Sequence, residues 1–168
     1  IESNNFERII KLLNLISSKY NLPIIFSTHP RTKKKINESK IFIHKNIKII
    51  KPLSFSDYNC LQINSKAVIS DSGTINEESS ILNFPALNLR ENHERPEAME
   101  ETSVVMTGFN QERVIQSLEL LSNQKRAEKR TLNLVEDYSY ENVSDKLVRI
   151  ILSYTDYVQK TIWKNFNS

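Results

Sequence analysis

The sequence of 168 residues has few cysteines, few glycines and no long apolar runs. Its single cysteine, Cys60, excludes an internal disulfide and a cysteine-based zinc cluster. No apolar run approaches the roughly 18 residues that a membrane span needs, and no signal peptide opens the chain. These features exclude a secreted disulfide scaffold and a membrane protein, and they predict a soluble protein of the cytoplasm.

The chain also lacks a strong excess of charge, since 23 basic residues are opposed by 20 acidic ones. A net charge of +3 is too small to predict a nucleic-acid partner. A content of 39% hydrophobic and 26% charged residues is typical of one globular domain with a sizeable core. The chain begins at Ile1 within a helix-like pattern, so we expect it to be part of a longer protein.

Short apolar runs alternate with helical patterns along the chain. Five runs predict strands, at residues 24–26, 47–50, 67–69, 86–89 and 103–106. Continuous apolar strands of this kind are covered on both faces, and right-handed crossovers join them. The pattern therefore predicts an α/β fold with one doubly wound parallel sheet. We expect residues 1–153 to form this Rossmann-like domain and residues 154–168 to form a C-terminal helical tail.

The pattern also makes specific predictions about burial. Leu13, Leu118 and Leu147 are expected to pack on the faces of the sheet, and Ile69 is expected to be fully buried. Cys60 falls in an apolar helix pattern and is expected to lie in the core. In the tail, an apolar stripe at helical spacing has no partner within the domain, so we expect the tail to be partly exposed or to pack on another molecule.

One candidate site follows the third strand, where Asp71-Ser72-Gly73-Thr74 turns into the next helix. Thr74 and Glu77 have the spacing of a capping box, in which each side chain bonds the other residue's amide. Free amides and the helix dipole at such a turn suit a phosphate group. Glu78, one turn on, would accept hydrogen bonds from the hydroxyls of a sugar. A plain capped helix after a tight turn is the alternative for this segment taken alone.

A second candidate segment begins at Arg90, at the end of the fourth strand. A guanidinium there would reach phosphate oxygens with two parallel hydrogen bonds. The nearby Glu94, Arg95 and Glu97 are expected to form an ion-pair knot that fixes the loop, and a solvated charged loop is the alternative. No cluster has the spacing of metal ligands, so no metal is expected.

Together, two segments resemble the non-hydrolysing UDP-N-acetylglucosamine 2-epimerases: Ser70-Asp71-Ser72-Gly73-Thr74-Ile75-Asn76-Glu77-Glu78 and Arg90-x-x-x-Glu94-Arg95-Pro96-Glu97-Ala98. Those enzymes carry a D-S-G-G-I-Q-E-E turn and an R-x-x-T-E-R-P-E-A loop at this spacing. The resemblance implies that UDP is bound by six residues: Ser72, Gly73, Thr74, Glu78, Arg90 and Tyr58. Arg90 would pair with the phosphates, Glu78 would bind the ribose and Tyr58 would flank the uracil. His29 resembles a residue of a second, activating UDP-sugar site. Thr74 stands where the family has a second glycine.

The family has a glycosyltransferase-B-like fold with two Rossmann-like domains facing a cleft, and this chain resembles only the second domain. The missing N-terminal domain would supply the acid and base, so we expect no catalytic residue and no turnover in this chain alone. The implied reaction interconverts UDP-N-acetylglucosamine and UDP-N-acetylmannosamine by elimination and re-addition of UDP, for cell-surface polysaccharide synthesis. The resemblance implies no cofactor and a homodimeric full-length protein.

Three alternatives to this function stay open at the level of sequence. The first is a related epimerase that acts on another UDP-N-acetylhexosamine in a capsule pathway. The second is a non-catalytic domain that only binds a nucleotide. The third is a retaining glycosyltransferase of the same architecture, which the Glu94-to-Ala98 sequence disfavours.

Overall fold

A computed structural model describes residues 3–39, 41–92 and 94–165. Its helices are α1 (Ser3–Tyr20), α2 (Pro30–Glu38), α3 (Phe55–Asn64), α4 (Ile75–Leu82), α5 (Gln111–Leu121) and α6 (Val143–Thr161). Its strands are β1 (Ile24–Ser27), β2 (Ile47–Ile50), β3 (Val68–Ser70), β4 (Ala86–Asn88) and β5 (Val104–Met106). Two short 3-10 helices span Pro96–Met99 and Glu136–Tyr138. The alternation of strands and helices confirms the predicted α/β class.

Local sequence signals explain where several helices begin. Ser54 caps α3 by accepting a hydrogen bond from the Asp57 amide at 3.2 Å, and Asn110 caps α5 in the same way. Pro30 begins α2, where its fixed φ suits the first turn and its missing N–H costs no hydrogen bond. Asn83 ends α4 in the left-handed conformation, with φ at 55°.

The strands pair only in parallel, but they form two hydrogen-bonded sheets rather than the single sheet predicted. β1 pairs with β2, and β4 lies between β3 and β5. Ile24 on β1 packs against the same apolar cluster as Ile69 on β3, so side chains join the two sheets where hydrogen bonds do not. The one-sheet prediction is therefore wrong in its hydrogen bonding.

The three residues of β4 are all buried, because β3 and β5 pair along its two edges and helices α4 and α5 pack against it. The other strands do not share this double coverage, and Ile25 on β1 is 48% exposed. The most completely buried large side chains are Phe84, Ile10, Leu12, Ile75 and Leu87. The core thus centres on β4 and on the helices α1, α4 and α5 that pack beside it.

Leu13 is buried and Leu118 packs on the core as predicted. Three other predictions about burial are wrong. Ile69 is only partly buried. Cys60 is exposed, because α3 turns a different face inward. Leu147 is 55% exposed, because it lies on α6 outside the core.

The chain divides into two units, one ending at Val135 and one beginning at Glu136. In the second unit, α6 is one continuous helix across residues 153 and 154, between which the sequence pattern placed the boundary of the domain and the tail. Ile162 and Trp163, just after α6, are each 62% exposed, which confirms that the tail is partly exposed. Residues 166–168 of the predicted tail lie outside the described residues.

The polar segment before the second unit is held by hydrogen bonds to helix ends. Arg130 donates from its two terminal nitrogens to the carbonyls of Ser80 and Ile81, in the last turn of α4, at 2.7 and 3.0 Å. Arg126 donates to the carbonyls of Ser65 and Lys66, just after α3. A cation at a helix C-terminus is favoured by the helix dipole, so these arginines fix an otherwise irregular segment.

Candidate functional site

The predicted phosphate turn and the predicted arginine lie at the same edge of the structure. β3 and β4 are adjacent and parallel, with Ser70 opposite Asn88, so the segments that follow them leave side by side. Asn88 connects the two segments. Its side-chain nitrogen lies 3.4 Å from the Ser72 carbonyl oxygen, and its side-chain oxygen accepts from the Arg90 amide at 2.9 Å.

The turn after β3 is stabilised by its own hydroxyl groups. The Ser72 amide donates to the Ser70 hydroxyl at 3.0 Å, and the Thr74 amide donates to the Ser72 hydroxyl at 3.3 Å. The Thr74 hydroxyl donates to Glu78 at 2.8 Å and does not cap the helix. The capping box predicted for Thr74 and Glu77 is therefore wrong, because Thr74 already has helical φ and ψ values that turn its side chain away from the Glu77 amide.

One backbone amide at this turn is available to a ligand. Within the part of the chain that the structure describes, the amide of Gly73 makes no hydrogen bond, and Gly73 lines the pocket beside the turn. A Cβ atom on Gly73 would come within 2.9 Å of a Glu94 carboxylate oxygen, so the glycine permits the close approach of the loop. A free amide just before α4 is a donor of the kind that an anion needs.

Arg90 projects from the end of β4 over this turn. Its Nε donates to the Asp71 carbonyl oxygen at 2.5 Å, and a terminal nitrogen pairs with the Glu94 carboxylate. Its side chain is 31% exposed. A small pocket separates Arg90 from the turn, and its polar lining consists of Gly73, Asn76, Asn88, Arg90, Asn92 and Glu94. The structure thus brings the predicted arginine and the predicted turn together around one cavity.

The loop charges pair partly with residues outside the predicted trio. Glu94 pairs with Arg90, and Arg95 donates from Nε to Glu77 on α4 at 2.7 Å. Glu97 lies in the 3-10 helix Pro96–Met99. The Arg95–Glu77 pair ties the loop to α4 and so fixes its distance from the phosphate turn.

Glu78 and Tyr58 meet on the other side of the turn, where α3 faces α4. Gln62, which sequence analysis missed, is 2% exposed and donates from Nε2 to Glu78 Oε2 at 2.5 Å. Burial raises the pKa of Tyr58, and the negative charge of Glu78 raises that pKa further, while a hydrogen bond with Gln62 opposes both. The Tyr58 hydroxyl therefore keeps its proton well into alkaline solution, and it stays a donor beside Glu78.

His29 lies apart from this network, at the end of β1. It caps α2, since its Nδ1 accepts from the Arg31 amide at 3.3 Å. A wide groove lies next to it, between α2 and the end of β2, and its lining includes Lys33, Lys34 and Lys51. Lys34 also faces Glu38, with 3.8 Å between the charged atoms. The structure thus gives His29 a helix-capping role, and a role in a second UDP-sugar site stays a prediction.

Two kinds of structural feature are absent from the described residues. Residues 3–39, 41–92 and 94–165 contain no group of three or more His, Cys, Asp or Glu side chains arranged around a metal position. None of the helices within those ranges has the length and apolar character to cross a membrane. The structure places a cation and a free amide beside a carboxylate, and this arrangement suits a phosphate joined to a hydroxyl-bearing group.

Comparison with known proteins gives a consistent result. A family model described as UDP-N-acetylglucosamine 2-epimerase matches residues 1–152. The chain is 35% identical to UDP-N-acetylglucosamine 2-epimerase of Methanocaldococcus jannaschii over 92% of its own length and 40% of that protein. It is 40% identical to the Methanococcus maripaludis enzyme of the same name, over 74% of the chain and 36% of that protein.

Solved structures agree with the sequence comparison. The UDP-N-acetylglucosamine 2-epimerase of Rickettsia bellii superposes with a TM-score of 0.89 at 45% identity, over 98% of this chain and 45% of that one. The Methanocaldococcus jannaschii enzyme, crystallised with UDP-GlcNAc and UDP, gives a TM-score of 0.76 at 33% identity, over 88% and 40% of the two chains. The chain thus spans about 40% of the length of the curated relatives it matches.

Proposed function

Because the chain belongs to the UDP-N-acetylglucosamine 2-epimerase family, we propose that it is the UDP-binding half of such an enzyme. In this proposal it forms the C-terminal domain of a glycosyltransferase-B-like, two-domain protein. The complete protein interconverts UDP-N-acetylglucosamine and UDP-N-acetylmannosamine for cell-surface polysaccharide synthesis. The M. jannaschii relative was crystallised with UDP-GlcNAc and UDP, which supports a UDP-sugar ligand.

One observation carries the proposal: Arg90 and the free amide of Gly73 line the same pocket at the turn after β3. A guanidinium and a backbone amide that meet at one pocket provide charge and direction for a diphosphate. Helix-end contributions at exposed positions are only about 0.3–1 kcal/mol each, so the formal charge of Arg90 is needed to hold the ligand.

The reaction requires UDP to leave the sugar and to stay bound. Negative charge grows on the diphosphate as its bond to the sugar breaks, so Arg90 and the Gly73 amide bind the leaving group more strongly than the substrate. This difference favours the elimination step. The proton transfers at the sugar belong to side chains of the proposed N-terminal domain, and this chain would have no turnover by itself.

Product analysis of the full-length protein with UDP-N-acetylglucosamine tests the proposal. We expect UDP-N-acetylmannosamine, with UDP and 2-acetamidoglucal as minor products. Transfer of the sugar to an acceptor would indicate a glycosyltransferase instead. Binding of UDP without any conversion would indicate a domain that only binds nucleotide. Conversion of a different UDP-N-acetylhexosamine would indicate a related epimerase with another substrate.

Three further features of the complete protein are proposals drawn from the family resemblance. The protein would be a homodimer in the cytoplasm. His29 would contribute to a second, activating UDP-sugar site, and the basic groove beside it is large enough and of suitable charge to admit an anionic ligand. Activation of the full-length enzyme by added UDP-GlcNAc, and its loss in His29→Ala, would test the second site.

A further inference from the structure

Gln62 is a buried polar side chain in a position where the fold requires no polar group. It is 2% exposed and lies on α3, with the exposed apolar residues Leu61 and Ile63 on either side. Its Oε1 is buried and has no hydrogen-bond partner among the described residues. An amide oxygen buried without a donor costs free energy that a leucine at the same place would avoid. The amide nitrogen, Nε2, must therefore make an interaction that explains why a glutamine stands at this position.

That nitrogen is fixed on Glu78. The Gln62 Nε2 atom lies 2.5 Å from Glu78 Oε2, and the Thr74 hydroxyl lies 2.8 Å from Glu78 Oε1. The chemistry fixes which way the amide points, because exchanging its oxygen and nitrogen would place the amide oxygen against a carboxylate oxygen of Glu78. Each oxygen of Glu78 thus accepts one hydrogen bond, and the two donors come from different elements.

Two donors on opposite oxygens fix a torsion that is otherwise soft. The terminal torsion of a glutamate is broad, so a carboxylate held by one bond samples many orientations. A carboxylate has about four lone-pair positions, and the two donors occupy two of them. One position per oxygen remains, which is the arrangement that accepts two hydrogen bonds from neighbouring hydroxyls of a ribose.

The helices themselves make this geometry rigid. Tyr58 and Gln62 are one turn apart on the same face of α3, and Thr74 and Glu78 are one turn apart at the start of α4. The face of α3 that carries the tyrosine proposed to flank uracil therefore also carries the amide that holds the proposed ribose ligand. One helix would set the distance between the base and the ribose.

We propose that Gln62 is a positioning residue for nucleoside recognition: it orients the Glu78 carboxylate toward the two ribose hydroxyls of UDP. This rests on the proposed function, because it assumes that UDP occupies the site. Gln62 is not among the residues proposed to hold the diphosphate; it acts on the ribose through Glu78, and it also makes a hydrogen bond with Tyr58. Gln62 thus raises the affinity for a ribonucleoside diphosphate relative to diphosphates that have no ribose.

The test compares UDP with inorganic pyrophosphate, which has no ribose, by calorimetry on the full-length protein. We expect Gln62→Leu to weaken UDP binding about tenfold, as for the loss of a hydrogen bond to a charged group. Pyrophosphate binding should change less than about twofold. Gln62→Met is the second variant if the leucine variant fails to fold, and Gln62→His, which keeps an N–H donor, should recover most of the UDP affinity.

Two controls separate positioning from general damage. Gln116 on α5 forms a similar glutamine–glutamate pair, with 3.4 Å between its Nε2 and Glu112 Oε1, but the pair is exposed. Gln116→Leu should leave the affinities for UDP and for pyrophosphate unchanged. In a double-mutant cycle, Gln62→Leu added to Glu78→Gln should weaken UDP no further, because both changes remove the same interaction. Turnover should show a higher KM for UDP-GlcNAc with kcat nearly unchanged.

Three results would overturn the inference. One is UDP affinity in a folded Gln62→Leu or Gln62→Met variant equal to that of the parent. Another is an equal loss of UDP and pyrophosphate affinity, which would mean that Gln62 only supports the fold. If the parent protein itself binds pyrophosphate and not UDP, the proposed function fails first, and this inference fails with it.

Discussion

Replacing Arg90 with alanine is the most direct test of the phosphate site. The guanidinium donates to the Asp71 carbonyl and pairs with Glu94, so these contacts hold it over the turn. Charge-assisted hydrogen bonds of this kind contribute about 1.5–3 kcal/mol. Arg90→Ala should therefore weaken UDP about 10- to 150-fold, which would remove detectable binding to a weakly binding protein.

The same substitution should have little effect on folding. The Arg90 and Glu94 side chains are 31% and 52% exposed, and ion pairs at such positions contribute about 0–1 kcal/mol to stability. For a chain of this size, the expected fall in Tm is no more than about 4 °C. A large effect on binding with a small effect on Tm would locate the loss in the site.

Calorimetry or NMR titration with UDP provides the measurement, and Arg113→Ala is the matched control, since Arg113 is an exposed arginine on α5. Arg90→Lys should give an intermediate affinity, because lysine keeps the charge and loses the two-pronged geometry. If Arg90→Ala binds UDP as tightly as the parent protein, the phosphate clamp lies elsewhere and the site assignment is wrong.

Three other predictions concern the neighbours of this site and the core. Glu94→Gln should raise the affinity for inorganic pyrophosphate a few-fold, because it removes a carboxylate that competes for Arg90; a fall in affinity would show that Glu94 orients the arginine instead. Phe84→Ala should lower the free energy of unfolding by about 3–5 kcal/mol in denaturant titration, because Phe84 is fully buried, and a loss below about 1 kcal/mol would contradict this. Glu78→Gln should lower the pKa of Tyr58 but leave it above 10, because burial is the larger cause of the raised pKa. Ultraviolet titration, with Tyr58→Phe as the reference, would measure this pKa. Since folding raises the pKa of Tyr58, its contribution to stability is present below pH 10 and is lost as the pH rises through the raised value.

The strands could be predicted from sequence because each is a short apolar run between polar turns. Their pairing into two sheets could not be predicted, because it depends on whether the backbones of β1 and β3 come within hydrogen-bonding distance. Side chains such as Ile24 can bridge that gap, and apolar composition is the same in either case. The partial burial of Ile69 has the same origin, since it depends on coverage by elements distant in sequence.

Residues of the candidate site could be predicted where the neighbouring sequence marked them, for example by a position directly after a predicted strand. Arg90 and the turn at Gly73 were located by their positions after strands, and the structure places both at one pocket. Asn88 and Gln62 were missed. Asn88 had a usable signal, since a polar residue in the apolar run Ala86-Leu87-Asn88-Leu89 is unusual in a buried strand. Gln62 had none, because the inward face of α3 depends on how α3 packs against α4.

The charged groups around the turn are paired with one another, and this pairing bears on how a diphosphate would bind. Glu94 pairs with Arg90, and the Ser72 hydroxyl accepts a hydrogen bond from the Thr74 amide. In the proposed function a diphosphate exchanges with these internal partners, so its affinity is reduced by the free energy that they contribute. This cost is the same for the substrate and for the transition state, because the internal pairs are broken in both. The proposed elimination is therefore accelerated only by the negative charge that the leaving UDP gains, which strengthens its interaction with Arg90 in the transition state.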